Sequence, residues 1–114
     1  MTAVATMDWQ LICSRQDLVA GGGVCALVNH AQVALFYLPG ETPELYAIGN
    51  FDPLGQANVL SRGIVGSLGE RLVVASPLYK QHYDLVTGEC LEDDTVRVPV
   101  YHARFDGDSV LLRD

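Results

Sequence analysis

Short runs of β-branched and aromatic residues, separated by turn residues, constrain the fold of this chain more than any other feature. Glycine, proline, asparagine and aspartate interrupt these runs before they reach the length of an ordinary helix. The predicted strands cover residues 9–13, 24–28, 32–38, 45–49, 64–66, 71–75, 83–86, 96–101 and 109–112. Only residues 58–62 suit a helix, and a very short one. Strands of this length and spacing indicate an all-β protein, either an antiparallel sandwich or a small barrel.

Three local patterns refine this assignment. Residues 29–31 (Asn-His-Ala) predict a tight hairpin between two strands. The three glycines at 21–23 predict a break in the chain before the second strand. Valines alternate with other residues at 96–101, which predicts a half-buried strand. Because Pro99 has no N–H to donate, that strand is expected at a sheet edge or at a bulge.

The composition and net charge indicate a single domain and exclude several classes of partner. The chain has 114 residues, 49% of them hydrophobic, which suits one domain with a packed core. Its net charge of −7 argues against nucleic acid and anionic membrane surfaces as partners, since both bind mainly through Lys and Arg. No apolar run approaches the ~20 residues that a membrane-spanning helix needs, and the first residues lack the basic segment of a secretory signal.

Cysteine usage points to the cytoplasm. Three cysteines, at 13, 25 and 90, are an odd number at wide spacing, which argues against a disulfide framework and fits a reducing compartment. Cys13 and Cys25 each stand in an apolar run, so both are expected to be small buried hydrophobic residues.

Catalytic motifs are absent from the sequence. No serine stands in a Gly-x-Ser-x-Gly nucleophile elbow, and His30, His82 and His102 are scattered without a spacing that identifies a base. The chain is therefore expected to have no catalytic residues of its own.

The segment 74–88 resembles a metal-cluster loop without its metal ligands. Pro77, the run 83–85 (Tyr-Asp-Leu) and the pair 87–88 (Thr-Gly) occupy the places of the pattern Cys-Pro-x-His followed by Phe/Tyr-Asp-Leu-x-Thr-Gly. That pattern marks the Rieske domain, whose loop supplies one Cys and one His to a 2Fe-2S cluster. Ser76 stands where the Cys would be and Tyr79 where the His would be.

A second loop upstream shows the same replacement. In Rieske domains the first ligand loop has the form Asn-x-Cys-x-His after a short strand. Here residues 50–54 read Asn-Phe-Asp-Pro-Leu, so Asp52 takes the Cys place and Leu54 the His place. Asp, Leu, Ser and Tyr cannot reproduce two thiolates and two imidazoles, and we expect no metal and no cofactor on this chain.

The resemblance extends along nearly the whole chain to a specific family, the small subunits of assimilatory NAD(P)H-dependent nitrite reductases. The segments that carry it are 47–53, 57–66, 75–82 and 84–93. It implies a single Rieske-like domain over 1–114, of iron–sulfur protein (ISP) type, with an antiparallel sandwich or barrel and a small cluster-binding-like subdomain at about 50–87. It also implies a large catalytic partner subunit that carries FAD, an iron–sulfur centre and siroheme and reduces nitrite to ammonia in nitrate assimilation.

The replaced ligand positions lead to a structural prediction. Without a cluster, the two loops must hold together by burial and hydrogen bonds. Leu54 and Tyr79 are expected to pack where iron and imidazole would sit. Asp52 is expected to accept a hydrogen bond from Ser76 or from the Tyr79 hydroxyl, worth ~1 kcal/mol if partly buried.

The same tip is a candidate docking surface for the large subunit. The polar residues predicted to contribute are Asn50, Arg62, Lys80, Gln81 and His82. The alternative is that they are ordinary loop residues. An uncovered docking patch is also expected to let isolated chains self-associate.

Two other functions remain open from the sequence. One is a Rieske-type ferredoxin that carries electrons with atypical ligands. The other is a stand-alone binding or regulatory module with no connection to nitrite reduction.

Overall fold

The computed structural model describes residues 9–113, and these form eleven strands and two single-turn 3-10 helices. The strands are β1 Gln10–Ser14, β2 Gly22–Val28, β3 Ala31–Tyr37, β4 Leu45–Gly49, β5 Phe51–Asp52, β6 Ala57–Asn58, β7 Ile64–Leu68, β8 Arg71–Ala75, β9 His82–Asp84, β10 Val100–Asp106 and β11 Ser109–Arg113. The 3-10 turns are Arg15–Asp17 and Leu60–Arg62. Within this part of the chain no helix is long and apolar enough to cross a membrane.

Six strands form one antiparallel sheet in the order β1-β11-β10-β4-β3-β2. The sheet curls, so that its two edge strands, β1 and β2, come into contact. Two smaller sheets, β5-β6 and β7-β8-β9, lie within the segment 50–87 that was predicted as a subdomain. The prediction of an all-β, antiparallel fold is confirmed.

Strand β3 explains how one sheet supports two cores. Val33 and Leu35 point into a cluster inside the curled sheet, together with Val110 of β11. Ala34 and Phe36 point to the opposite side, into a second cluster. Because successive side chains of a strand face opposite ways, a strand buried on both faces must be apolar throughout.

The second cluster joins the large sheet to the small one. It contains Phe36 and Ile48 of the large sheet, Val74 and Tyr83 of the β7-β8-β9 sheet, and Leu60 of the second 3-10 turn. All five residues are fully buried. The loops at the tip of the small sheets therefore stand on a shared, closely packed base.

Three sequence-based predictions need correction. The strand predicted at 96–101 is wrong over residues 96–99, since regular pairing begins only at Val100. Its alternation reflects the packing of Val96 and Val98 against the core, while Arg97 makes a single isolated bridge to Glu89. β10 instead continues to Asp106, beyond the predicted end.

The glycine break is shorter than predicted, because residues 22 and 23 belong to β2 and the turn is confined to Gly21. Gly23 fits there because a Cβ atom would lie 2.7 Å from both a Phe36 ring carbon and the Ser61 carbonyl oxygen. The prediction that Cys25 is buried is also wrong: it is exposed on β2, and Cys13 is half-buried.

Candidate functional site

Two loops meet at the tip of the small sheets. The first connects β5 to β6 and the second, residues 76–81, connects β8 to β9. In the second loop, the Ser76 amide donates to the Gln81 carbonyl at 2.8 Å and the Lys80 amide donates to the Ser76 carbonyl at 3.0 Å. Ser76 thus closes its own loop through the backbone and leaves its hydroxyl directed at the first loop.

Asp52 holds the two loops together. Its side chain is 0% exposed, and its Oδ2 accepts a 2.5 Å hydrogen bond from the Ser76 hydroxyl. Its Oδ1 accepts a 2.8 Å bond from the Tyr83 hydroxyl. The predicted bond between Asp52 and Ser76 is therefore confirmed.

The backbone of the first loop completes the set of donors. The amides of Leu54 and Gly55 donate to Asp52 Oδ1 at 3.0 and 3.1 Å. A carboxylate that follows a strand and accepts bonds from amides two and three residues later folds its own loop into a turn. Asp52 therefore shapes the first loop and binds it to the second.

The hydrogen bonds to Asp52 outweigh the cost of its burial. Burial raises the pKa of the Asp52 carboxyl. The hydrogen bonds from Ser76, Gly55, Tyr83 and Leu54 together lower the pKa by more than burial raises it, so the net pKa lies below the ordinary value of 3.8. Burial and the bond to Asp52 both raise the pKa of the Tyr83 hydroxyl well above its ordinary value. The pair is thus a carboxylate facing a protonated phenol at neutral pH.

Tyr79 does not take part in this cluster. The prediction that it packs in the cluster's place, or bonds to Asp52, is wrong, because its side chain is 65% exposed. Tyr83, four residues later, supplies the hydroxyl from inside the core. Leu54 is partly buried and packs against that core, as expected.

A second buried carboxylate, Asp84, organises the turn that follows β9. It accepts bonds from the amides of Val86 and Thr87 at 2.7 and 2.9 Å and from Arg71 Nε at 2.6 Å. Arg71 also donates to Glu89 at 2.8 Å. Burial raises the pKa of the Asp84 carboxyl, but the bonds from Thr87, Arg71 and Val86 more than compensate and hold it below its ordinary value.

The two depressed carboxyl pKa values predict a loss of stability in acid. A group with a lower pKa in the folded state contributes stability above its unfolded pKa, near 3.8, and that contribution disappears as the pH falls through the folded value. We expect the free energy of unfolding, measured with urea, to decrease progressively below about pH 5.

Asp84→Asn should lower stability at pH 7 and flatten this acid dependence. The matched control, Asp108→Asn, alters a carboxylate whose side chain is 85% exposed and should leave the profile unchanged. An acid dependence of Asp84→Asn as steep as that of the wild type would contradict the assignment.

The predicted docking residues divide into three groups. Arg62 and Lys80 are exposed. Gln81 and His82 are half-buried, and His82 is engaged with Glu92, whose carboxylate accepts its backbone amide at 2.7 Å and lies 2.6 Å from its Nδ1. Asn50 is 1% exposed, so the structure does not support it as a docking residue.

Asn50 has a structural role instead. Its side-chain amide donates to Gln32 Oε1 at 3.0 Å, and its carbonyl oxygen accepts from the Ser61 amide at 2.7 Å. It therefore ties β3 and the second 3-10 turn to the base of the first loop.

A Rieske cluster does not fit these residues. The cluster needs two thiolates and two imidazoles that converge on two irons. Asp52 uses both carboxylate oxygens on protein donors, Leu54 is a hydrocarbon, and Tyr79 points away. Across residues 9–113 no three His, Cys, Asp or Glu side chains are grouped so that they could hold a metal ion.

Comparison with known proteins defines the family. The family model of the Rieske-like [2Fe-2S] domain matches residues 8–113. The nitrite reductase (NADH) small subunit of Salmonella typhimurium is 45% identical over 106 residues, which cover 93% of this chain and 97% of that protein. The nitrite reductase [NAD(P)H] large subunit of Klebsiella oxytoca is 38% identical over 86 residues, which cover 75% of this chain but only 9% of that protein.

Solved structures agree with the sequence comparison. The NMR structure of Escherichia coli NirD has a TM-score of 0.84 at 40% identity and covers 94% of this chain and 96% of that one. The ferredoxin of carbazole 1,9a-dioxygenase from Nocardioides aromaticivorans has a TM-score of 0.77 at 22% identity, covers 92% and 96% of the two chains, and shows the shared fold alone. This chain belongs to the Rieske-like domain family and, within it, to the nitrite reductase (NADH) small subunits.

Proposed function

We propose that this chain is the non-catalytic small subunit of an NAD(P)H-dependent nitrite reductase, and that it acts by binding the large catalytic subunit. The observation that carries the proposal is the buried Asp52 cluster. Asp52 and Ser76, which the resemblance aligns with two ligands of a Rieske cluster, are joined by a hydrogen bond, and Tyr83 donates a second one to Asp52. The aligned residues Asp, Leu, Ser and Tyr do not match the two thiolates and two imidazoles of a Rieske cluster, which supports a role in contact with a partner over a role in electron transfer.

The large subunit is the partner that the comparisons support. In Klebsiella oxytoca, a segment similar to most of this chain is part of the large-subunit polypeptide itself. A domain found both as a separate subunit and within the partner's chain fits a role beside that partner. The three free cysteines fit a complex that works in the reducing cytoplasm.

Exposed residues of the second loop form the proposed contact surface. Leu78 and Tyr79 are exposed large hydrophobic residues, with the exposed Lys80 beside them. The Leu78 side chain packs closely against the backbone of Gly55 in the first loop, since a Cβ atom on Gly55 would lie 2.5 Å from Leu78 Cδ1. A few residues supply most of the binding energy of an interface, and tyrosine is among the residue types that are enriched there.

Tyr79→Ala tests this surface. Because the ring is largely exposed, we expect the melting temperature to be unchanged, while the affinity for the large subunit falls by about tenfold or more. Leu27→Ala, an equally exposed position on β2, is the control and should bind normally. Calorimetric titration of each purified variant with the purified large subunit measures the affinity, and thermal unfolding measures the melting temperature. Normal binding by Tyr79→Ala would remove the tip from the interface.

Co-purification tests the proposed function itself. The tagged full chain, expressed in its native host, should retain a siroheme- and flavin-containing partner, identified by its visible spectrum and by mass spectrometry. The isolated chain should be colourless and free of iron. Absorbance above 400 nm with stoichiometric iron in the isolated chain would favour an electron carrier instead, and consistent absence of the flavoprotein partner would favour an unrelated binding module.

A further inference from the structure

Strand β7 (Ile64–Leu68) is an unprotected sheet edge. It pairs with β8 on one side in a regular antiparallel register, and within residues 9–113 no strand pairs with its other side. Its five residues include no charge and no proline. Proteins usually protect such an edge with a lysine, a proline or a bulge, because its free N–H and C=O groups attract another strand.

The sequence around β7 is nearly palindromic about Gly66. Residues 62–70 read Arg-Gly-Ile-Val-Gly-Ser-Leu-Gly-Glu. If two copies of β7 lie antiparallel with their Gly66 residues opposite, the large apolar residues at the two ends of the strand face each other. The facing pairs within the strand are Ile64 with Leu68, Val65 with Ser67, and Gly66 with itself.

The side chains that this pairing would join are available. Ile64 is 77% exposed and Leu68 is 42% exposed, and both lie on the same face of β7 because they are four residues apart. A shallow groove of about 150 Å³ runs along this face, with Val73 among its lining residues. Pairing with a second copy places each Ile64 beside the Leu68 of the other and extends the apolar face across the junction.

Charge supplies a further argument for a second copy as the occupant. Arg62 and Glu70 are exposed at opposite ends of β7. Arg62 belongs to the 3-10 turn before β7 and Glu70 to the hairpin turn after it, so neither extends the strand pairing itself. In the antiparallel arrangement, the Arg62 end of each copy lies at the Glu70 end of the other, which brings opposite charges to the same end of the junction. The apolar and the charged residues therefore complement each other about the same two-fold axis.

We propose that β7 is a self-association strand, through which two copies of this chain form a dimer. The two-fold axis passes beside Gly66, perpendicular to the sheet, and the two β7-β8-β9 sheets become one of six strands. This contact is separate from the tip residues Leu78 and Tyr79, and it does not depend on the proposed function. One strand from each copy makes a smaller contact than the ~1,600 Å² of a typical stable interface, so the dimer is concentration-dependent.

Gly66→Lys is the direct test. A Cβ atom at Gly66 would meet nothing within 4 Å in the monomer, so the fold should tolerate the lysine. In the dimer, two lysines would face each other across the axis, where like charges oppose strand pairing. Sedimentation equilibrium of the isolated full chain should show a dissociation constant for the dimer that rises at least tenfold. Leu27→Lys, on the edge strand β2 of the other sheet, is the matched control and should dimerise like the wild type.

Charge exchange tests the antiparallel orientation. Arg62→Glu and Glu70→Arg should each weaken the dimer, because each brings like charges to the same end of the junction, and the double variant should restore it. A wild-type chain that stays monomeric at all concentrations would overturn the proposal, as would normal dimerisation by Gly66→Lys. If the wild type is monomeric and Gly66→Lys no longer binds the large subunit, then the edge of β7 is a binding site for the large subunit. That result would exclude a second copy of this chain as the partner of β7.

Discussion

Asp52→Ala should lower the free energy of unfolding by about 3–5 kcal/mol, because removing one member of a buried charged cluster leaves the others without partners. Four donors lose their acceptor at once: two backbone amides of the first loop and the hydroxyls of Ser76 and Tyr83. Both hydroxyls belong to residues with almost no exposed surface, so water cannot easily replace the carboxylate. Urea unfolding at pH 7 measures the change.

Milder variants keep this prediction testable if Asp52→Ala fails to fold. Ser76→Ala and Tyr83→Phe each remove one donor to Asp52 and should cost about 1–2 kcal/mol. Because both act on the same carboxylate, their effects should not add, and the double variant measures the coupling. Asp108→Ala, at an exposed position, is the control and should change stability by less than about 0.5 kcal/mol. A cost below about 1 kcal/mol for Asp52→Ala would show that the cluster does not hold the loops together.

Gly88→Ala should cost about 3 kcal/mol or more, because it combines a left-handed backbone with a steric clash. Gly88 has a φ of +79°, and a Cβ atom there would lie 2.2 Å from the Val98 carbonyl oxygen. The backbone cannot simply move away, since the Gly88 carbonyl accepts the Val98 amide at 2.9 Å and the Gly88 amide donates to the Asp84 carbonyl at 2.8 Å.

Gly107→Ala separates the two causes. Gly107 has a similar φ of +61°, but a Cβ atom there would meet nothing within 4 Å. Its substitution should cost only the strain of the left-handed conformation, about 1–2 kcal/mol. Thermal unfolding of the two variants gives the comparison. Equal losses would mean that backbone strain alone explains why position 88 is glycine.

The sequence predicted one half of the Asp52 cluster and missed the other. The two loops could be aligned with a known pair of ligand loops, so Asp52 and Ser76 were expected to meet, and they do. The loop pattern accepts Phe as well as Tyr at position 83, so it assigns no hydrogen-bond partner to the Tyr83 hydroxyl. The choice of Tyr was the available signal, because a buried phenol needs a hydrogen-bond partner.

Predictions of exposure from sequence were the least accurate. Asn50 and Tyr79 both stand in loop-like segments, and neither lies where the sequence suggested. Asn50 is buried because Gln32 and Ser61, from two other elements, offer partners for its amide. Tyr79 is exposed, and the hydroxyl that reaches Asp52 comes from the buried Tyr83 of β9.

Local patterns and the family resemblance determined the all-β class, most of the strands, the two loops and the replacement of all four ligand positions, since these depend on residue identity and spacing along the chain. Only the tertiary structure decided which hydroxyl reaches Asp52, which polar residues face solvent, and that the edge of β7 is open. Those features depend on which distant segments pack together, and the same residue type can be buried or exposed according to its neighbours in space.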